Sequence, residues 1–336
     1  MRSAAAPSRN TGKALTVTAR IDSVNIRTGR GLDSGIGRWY EVRALPTSAR
    51  PGCRGSVPPM PEGHTIHRIA GRHRDLFGGS AVRAWSPQGR FADGAADLDG
   101  TLLEDVEAYG KHLHYRFASD RILHVHLGLI GRFATHRGEV PEPTPGTRLA
   151  IANEDGAAYL SGPMTCALVT PEEAAATAAK LGPDPLRSRG GARAFAAALA
   201  RRRIPIGAAL LDQAVVAGIG NVYRAEILFL CGIHPGTPAN RLVADDVDCL
   251  WRTIGNQLRR GLRMGRIVTV SLGDVGARSR EALADDDRRY AYHRDGLACH
   301  RCGTEIRRME IAGRATWWCP SCQPAAVVAR PASGRE

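Results

Sequence analysis

Four cysteines near the C-terminus constrain this 336-residue chain more than any other feature. They are spaced Cys299-x2-Cys302-x16-Cys319-x2-Cys322. Each C-x-x-C knuckle offers two thiolates to one ion, and two knuckles complete a tetrahedral sulfur set suited to Zn²⁺. The 16 intervening residues are enough for a β-hairpin, so the tail is expected to fold as a zinc-ribbon hairpin around one structural ion. With all four ligands supplied by protein, this metal keeps no open position for catalysis. Two redox pairs or unpaired thiols are the alternatives. Cys53, Cys166, Cys231 and Cys249 are scattered singly, unlike a secreted disulfide framework, and no apolar stretch follows the N-terminal Met-Arg. A reducing, cytoplasmic setting is the expectation.

Upstream of the ribbon the chain divides by texture. Ile66, Ile69, Ala70, His73 and Phe77 fall at helical spacing within 65–77. Leu113, Tyr115 and Phe117 then alternate with His112, His114 and Arg116. After the turn at Ser119-Asp120, Leu123, Val125 and Leu127 alternate with polar residues, as a β-hairpin with one buried face requires. The region to about 170 reads as mainly β, and 171–180 as a short helix. The breaker cluster 181–191 marks a domain boundary. Helices are predicted over 192–203, 205–214, 221–231 and 244–263, the last carrying Val247, Leu250, Trp251, Ile254, Leu258 and Leu262 as one stripe. No run of 18 apolar residues offers a membrane-spanning helix.

The formal net charge of +13 points to an anionic partner, nucleic acid before a membrane surface. More than half of that excess sits in 1–59, a Gly-, Ala-, Ser- and Pro-rich prefix with 10 basic and 3 acidic residues. That prefix reads as disordered or as absent from the mature chain, with a transit peptide as a lesser option.

Other local signals are ambiguous alone. In Gln213-Ala-Val-Val-Ala-Gly-Ile-Gly-Asn-Val-Tyr-Arg-Ala-Glu226, Gly218 and Gly220 make a tight turn before a helix starting at Asn221. That helix start favours an anion, yet an ordinary helix corner would look the same. Arg307, Arg308 and Arg314 in the ribbon suit phosphate, or simply a solvated loop. His64 and His67 share a helix, and His112, His114, His124 and His126 share the hairpin. A second metal centre is conceivable there, but no carboxylate clusters with them, and solvated or DNA-facing histidines are the preferred reading.

Taken together, Met60-Pro61-Glu62-Gly63, Gly110-Lys111-His112, His126-Leu-Gly-Leu-Ile-Gly131, Gly218-Ile-Gly-Asn-Val-Tyr223 and the four cysteines form an ordered set. Over about 60–323 the chain resembles the formamidopyrimidine-DNA glycosylase/endonuclease VIII family, most closely its actinobacterial endonuclease VIII members. The resemblance implies an α+β multidomain fold: a β-sandwich with a flanking helix over 60–185, a helix-two-turns-helix domain over 192–285, and a zinc finger over 288–325. It also implies a bifunctional glycosylase/AP lyase, acting as a monomer on damaged double-stranded DNA with no membrane partner. By the same resemblance Pro61 matches the nucleophilic amine, Glu62 the acid/base carboxylate and Lys111 a phosphate-contacting lysine that assists catalysis. Asn221 and Arg314 match the backbone-gripping pair. Leu129 matches the loop that fills the void left by the flipped nucleotide, with a core position at a strand end as the lesser alternative.

Two departures stand out. Thr65 occupies a position where many members carry glutamate. Pro61 is internal, so its nitrogen is an amide without a nucleophilic lone pair; translation from Met60, or cleavage of the prefix, is expected to free it. If Pro61 is never freed, a non-catalytic module that recognises lesions or abasic sites is the competing reading. A zinc-ribbon transcription or translation factor is more remote and leaves Met60–Gly63 unexplained. Oxidised pyrimidines fit the endonuclease VIII branch; 8-oxoguanine or formamidopyrimidines fit its sister.

Overall fold

The computed structural model describes residues 61–187 and 190–325, together with the backbone of Val42–Ala44. Apart from that backbone, the prefix expected to be disordered or absent lies outside the described residues. Val42–Ala44 (β1) pairs antiparallel with Arg307–Ile311 (β10), adding a third strand beside Arg314–Trp318 (β11).

The N-terminal part begins with helix Gly63–Phe77 (α1) and strand Ser80–Trp85 (β2), then the short helix Ala92–Leu98 (α2). Strands Thr101–Tyr109 (β3), His112–Phe117 (β4), Ile122–His126 (β5), Arg132–Arg137 (β6), Thr147–Asn153 (β7), Gly156–Ser161 (β8) and Thr165–Val169 (β9) follow. They form one antiparallel run in the order β6-β8-β7-β2-β3-β4-β5-β9. β2 is the corner: Ser80–Val82 pair with β3, whereas Arg83–Trp85 pair with β7. A strand that changes partners midway folds the run into the two layers of a sandwich. Both layers and α1 share one core, from Ile66, Leu76 and Phe77 through Val106, Tyr115 and Val125 to Ile151 and Leu160. The predicted hairpin is present, with Leu113 opposite Val125 and Tyr115 opposite Leu123 facing inward.

Helix Pro171–Ala179 (α3) starts on a capping box made by Thr170 and Glu173. The helical part comprises Ala192–Ala200 (α4), Ile206–Ala209 (α5), Asn221–Leu230 (α6) and Ala244–Met264 (α7). Predicted as a helix over 205–214, α5 is a single turn. Beyond it Asp212 accepts from the Ala214 N–H, and Gln213 spends its side chain on Leu211, Gly218 and Ile219. These local side-chain bonds offer the backbone an alternative to helix. Phe229 of α6 belongs to the same apolar cluster as Tyr290, Ile306, Trp317 and Cys319, so the zinc module shares its core with the helical part. The buried Glu226 carboxylate seats that module by accepting the N–H groups of Tyr290, Ala291 and Tyr292.

Cys231 and Cys249, read as separate thiols, are joined as a disulfide, with Cα atoms 6.0 Å apart. Helical packing of α6 against α7 brings them together, which their spacing of 18 residues did not signal. Closing a loop of that length contributes about 3 kcal/mol through unfolded-state entropy. Cys249→Ser is expected to lower stability by about that amount in oxidising buffer and to have little effect with reductant present. Denaturant unfolding in both buffers measures the difference.

Candidate active site

Pro61 and Glu62 lie just before α1, and the turn preceding α6 closes over them. The Gly63 N–H donates to the Gly218 carbonyl at 2.8 Å. Glu62 is fully buried and its carboxylate accepts from the Gly220 N–H at 2.7 Å and the Val222 N–H at 2.9 Å. The anion that the start of α6 was expected to attract is thus supplied from within the chain. Its free amides and positive dipole end are occupied by Glu62. Glycine is required at both turn positions. Gly218 has φ +95°, and a Cβ on Gly220 would stand 2.6 Å from the Glu62 carboxyl carbon.

Burial raises the Glu62 pKa above the usual carboxylate range, against the opposing pull of Lys111 and the backbone donors. Lys111 faces it from the β3–β4 turn and is itself half-buried, and its desolvation there holds its ammonium below the ordinary lysine range. Glu62 counters that shift and Arg314 adds to it. Glu62, Lys111 and Arg314 are therefore electrostatic neighbours, although they come from the sandwich and from the ribbon turn. The Asn221 amide donates to the Ala315 carbonyl at 3.1 Å. Arg224, fully buried, donates to the same carbonyl at 2.6 Å and to the Asn221 side chain. The start of α6 is therefore tied to the residue following Arg314.

Leu129 is not a core residue: it is 59% exposed, while Leu127 takes the strand-end core position at 2%. Ile130 and Met164 are exposed beside it, and a Cβ on Gly128 would meet Met164 at 2.9 Å. Three uncovered apolar side chains thus project from adjoining loops next to β5. Met164 was missed in the sequence, where a lone Met between Pro and Thr carries no signal.

Asp184 was also missed. Only 1% exposed, it lies in the breaker cluster read as a boundary, yet it accepts from the Gly110 N–H at 2.8 Å, the Leu186 N–H at 2.8 Å and His67 Nε2 at 2.7 Å. His67 is accordingly a hydrogen-bond partner of Asp184 rather than a solvated or DNA-facing group. His64 is buried with its ring edge-on to Tyr223, and burial pushes its pKa down to about 4. Of the ribbon arginines, Arg308 lies over the Trp317 ring at 6.0 Å, and Arg307 and Arg314 are exposed.

The four cysteine sulfurs converge within 4.8 Å of one another, the one such group among the described residues. Cys302 Sγ lies 3.4 Å from Cys319 Sγ and 3.5 Å from Cys322 Sγ; Cys299 Sγ lies 3.9 Å from Cys322 Sγ. Four sulfurs about 2.3 Å from a tetrahedral zinc would be about 3.8 Å apart, so the set fits that ion. Backbone N–H groups of Arg301 and Cys322 point at Cys299 and Cys319 sulfurs, supporting thiolate charge.

Comparison with known proteins follows the same three parts. Residues 60–161 match the family model described as formamidopyrimidine-DNA glycosylase N-terminal domain, 181–272 its H2TH domain, and 296–325 a zinc finger found in FPG and IleRS. The chain is 41% identical to Endonuclease 8 1 of Mycobacterium tuberculosis over 269 residues, covering 79% of this chain and 100% of that one. It is 33% identical to the formamidopyrimidine-DNA glycosylase of Gluconobacter oxydans over 282 residues, covering 80% and 100%. The Lactococcus lactis Fpg in complex with abasic-site DNA has a similar fold, with a TM-score of 0.65 at 23% identity, covering 79% and 100%.

Proposed function

This chain belongs to the formamidopyrimidine-DNA glycosylase/endonuclease VIII family of base-excision-repair DNA glycosylase/AP lyases, and from that premise we propose that it removes oxidised pyrimidines through an N-terminal Pro61 amine. The observation that carries the reading is the buried Glu62 carboxyl, one residue from Pro61, faced by Lys111 and fastened to the start of α6.

Each residue then has a task. A free Pro61 secondary amine attacks C1′ of the damaged nucleotide and expels the base, leaving an iminium. An α-amine has a pKa about two units below lysine, so far more of it is neutral at pH 7. Glu62, whose pKa burial raises, supplies a proton as the sugar ring opens. The iminium acidifies the 2′ hydrogen, and successive β- and δ-elimination break the two flanking phosphate bonds. Lys111, Asn221 and Arg314 hold the phosphates around the extruded nucleotide. Leu129, with Ile130 and Met164, enters the vacated stack as an apolar wedge. The Thr65 departure leaves the first turn of α1 without a carboxyl, so Glu62 at the N-cap is the acid beside it, and the Thr65 hydroxyl bonds His64 Nε2 at 3.3 Å.

The amide nitrogen of an internal Pro61 has no part in this chemistry, so the active form is read as beginning at Pro61, working as a monomer on duplex DNA in the cytoplasm. The 336-residue form keeps the grip but not the nucleophile, which supports a second reading for it as a damage-binding protein.

Oxidised pyrimidines are the lesions that fit the endonuclease VIII branch, the branch to which similarity to Endonuclease 8 1 points. Duplexes carrying thymine glycol or dihydrouracil are expected to be cut by the Pro61-start chain about tenfold or more faster than duplexes carrying 8-oxoguanine. Single-turnover incision of that lesion panel is the test, and faster cutting at 8-oxoguanine overturns the pyrimidine assignment.

Asp184 acts through others: it fixes Gly110 and thereby Lys111. Asp184→Asn is expected to slow elimination about tenfold to a hundredfold through displacement of Lys111, with a smaller effect on KM. Steady-state kinetics on an abasic-site duplex, with far-UV circular dichroism as folding control, measure the split.

A further inference from the structure

The sandwich face turned away from the core carries four imidazoles that the proposed chemistry does not use. His112 stands opposite His126, and His114 opposite His124, across the β4–β5 ladder. Their rings interleave as a zigzag: His114 to His124 at 5.0 Å, His124 to His112 at 5.1 Å, and His112 to His126 at 4.9 Å between centroids. They are half-buried rather than solvated. His112 Nδ1 and His124 Nε2 are 2.8 Å apart, and His126 Nδ1 and His114 Nε2 are buried without a hydrogen-bond partner.

We propose that this face binds one divalent transition cation of borderline softness, with His112 Nδ1 and His124 Nε2 as the first two ligands and His126 as the third. Two imidazole nitrogens about 2.0–2.1 Å from one ion at a right angle are about 2.9 Å apart, close to the spacing already present. The hydrogen bond between the rings requires only a tautomer change to present both lone pairs, with no net proton lost. The His126 ring centroid lies 4.9 Å from that of His112, and a bond to the ion would satisfy its orphaned, buried nitrogen. Water completes the coordination, and imidazole ligands suit Zn²⁺, Ni²⁺ and Cu²⁺.

The surrounding charge permits a cation. Burial and mutual repulsion push His112 to about 3 and His114 to about 4, and lower His124 and His126, so all four rings are neutral and ligand-competent at neutral pH. Of the cations facing them, Arg116 and Arg187 both pair with Glu107, and Lys111 has Glu62 as a neighbour. Glu107 lies directly opposite His114 in the sheet, keeping a carboxylate on the same face.

Zinc-replete, tag-free full chain is titrated with Ni²⁺ by calorimetry, and with Cu²⁺ by electron paramagnetic resonance. One further equivalent beyond the cysteine-bound zinc is expected, with nitrogen coupling from at least two imidazoles on Cu²⁺. His124→Gln is expected to weaken Ni²⁺ at least about tenfold, and His114→Gln, at the far end of the zigzag, less than about threefold. The cysteine-bound zinc content stays unchanged in both. Absence of a further equivalent, equal Ni²⁺ affinity in His124→Gln, or an oxygen-only Cu²⁺ signature overturns the site. The Cu²⁺ spectrum of the unsubstituted chain decides the matter even if His124→Gln folds poorly.

Discussion

Borohydride is expected to trap a chain beginning at Pro61 covalently on lesion-bearing duplex and to trap none of the 336-residue chain. Reduction of the proline iminium leaves a stable tertiary amine linkage, whereas an amide nitrogen forms no iminium to reduce. The difference is all-or-none rather than graded, and a shifted band on a denaturing gel reads it directly. Efficient trapping by the uncleaved chain would falsify the assignment of Pro61. Within the Pro61-start form, Glu62→Gln is expected to slow excision of an intact damaged base by about a hundredfold to ten-thousandfold. Trapping on a ready-made abasic site survives better, because that substrate has no base left to expel. The pH profile carries the sign. Burial raises the Glu62 pKa, so the folded state prefers the protonated acid. Its proton, and the stability tied to that proton, are present at low pH and lost as pH climbs through the raised value. Excision by the unsubstituted enzyme therefore falls on the alkaline side, and Glu62→Gln removes that limb.

Stripping the zinc should cost most of the DNA affinity, about a hundredfold or more at moderate salt. Binding energies of structural zinc in small modules are on the order of 10–16 kcal/mol, more than a short hairpin can replace from its own packing. Loss of the ion frees the hairpin formed by β10 and β11, and with it Arg314 and the Ala315 carbonyl that Asn221 and Arg224 both use. Fluorescence anisotropy with an abasic-analogue duplex, before and after chelation, gives the affinity; near-ultraviolet circular dichroism of Trp317 and Trp318 reports the hairpin. Arg314→Ala in zinc-loaded protein should account for only part of the loss. An affinity held within about threefold after zinc removal would show that the ribbon is not part of the grip.

The parts legible in the sequence share one property: their determinants are local. Cysteine spacing implied the ion and its hairpin because the ligands of each knuckle are three residues apart. Strict alternation in β4 and β5 placed Leu113, Tyr115, Leu123 and Val125 inward because a strand repeats every two residues. What escaped was long-range. Asp184 meets His67 across 117 positions and Gly110 across 74, and between two prolines it looked like loop material. The anion at the start of α6 was anticipated on sound electrostatic grounds, but its identity was not, since Glu62 arrives from 158 residues upstream. The shortness of α5 depended on where Asp212 and Gln213 chose to bond, which composition does not encode. Leu129 was placed correctly in a loop only by analogy; alternation alone ran through Leu127 and suggested a buried strand end.

The clasp between Glu62 and the α6 turn also works as an interlock. On the assigned chemistry, the carboxyl that delivers the proton is the one that fastens the sandwich to the helical part. If the two separate, Glu62 meets water, loses the burial that raises its pKa and returns toward ordinary carboxylate acidity. A molecule sprung open along this seam is therefore a weaker proton donor. For a catalyst whose product is a broken DNA strand, an acid best armed when both halves are shut biases the hazard toward the closed, DNA-ready form.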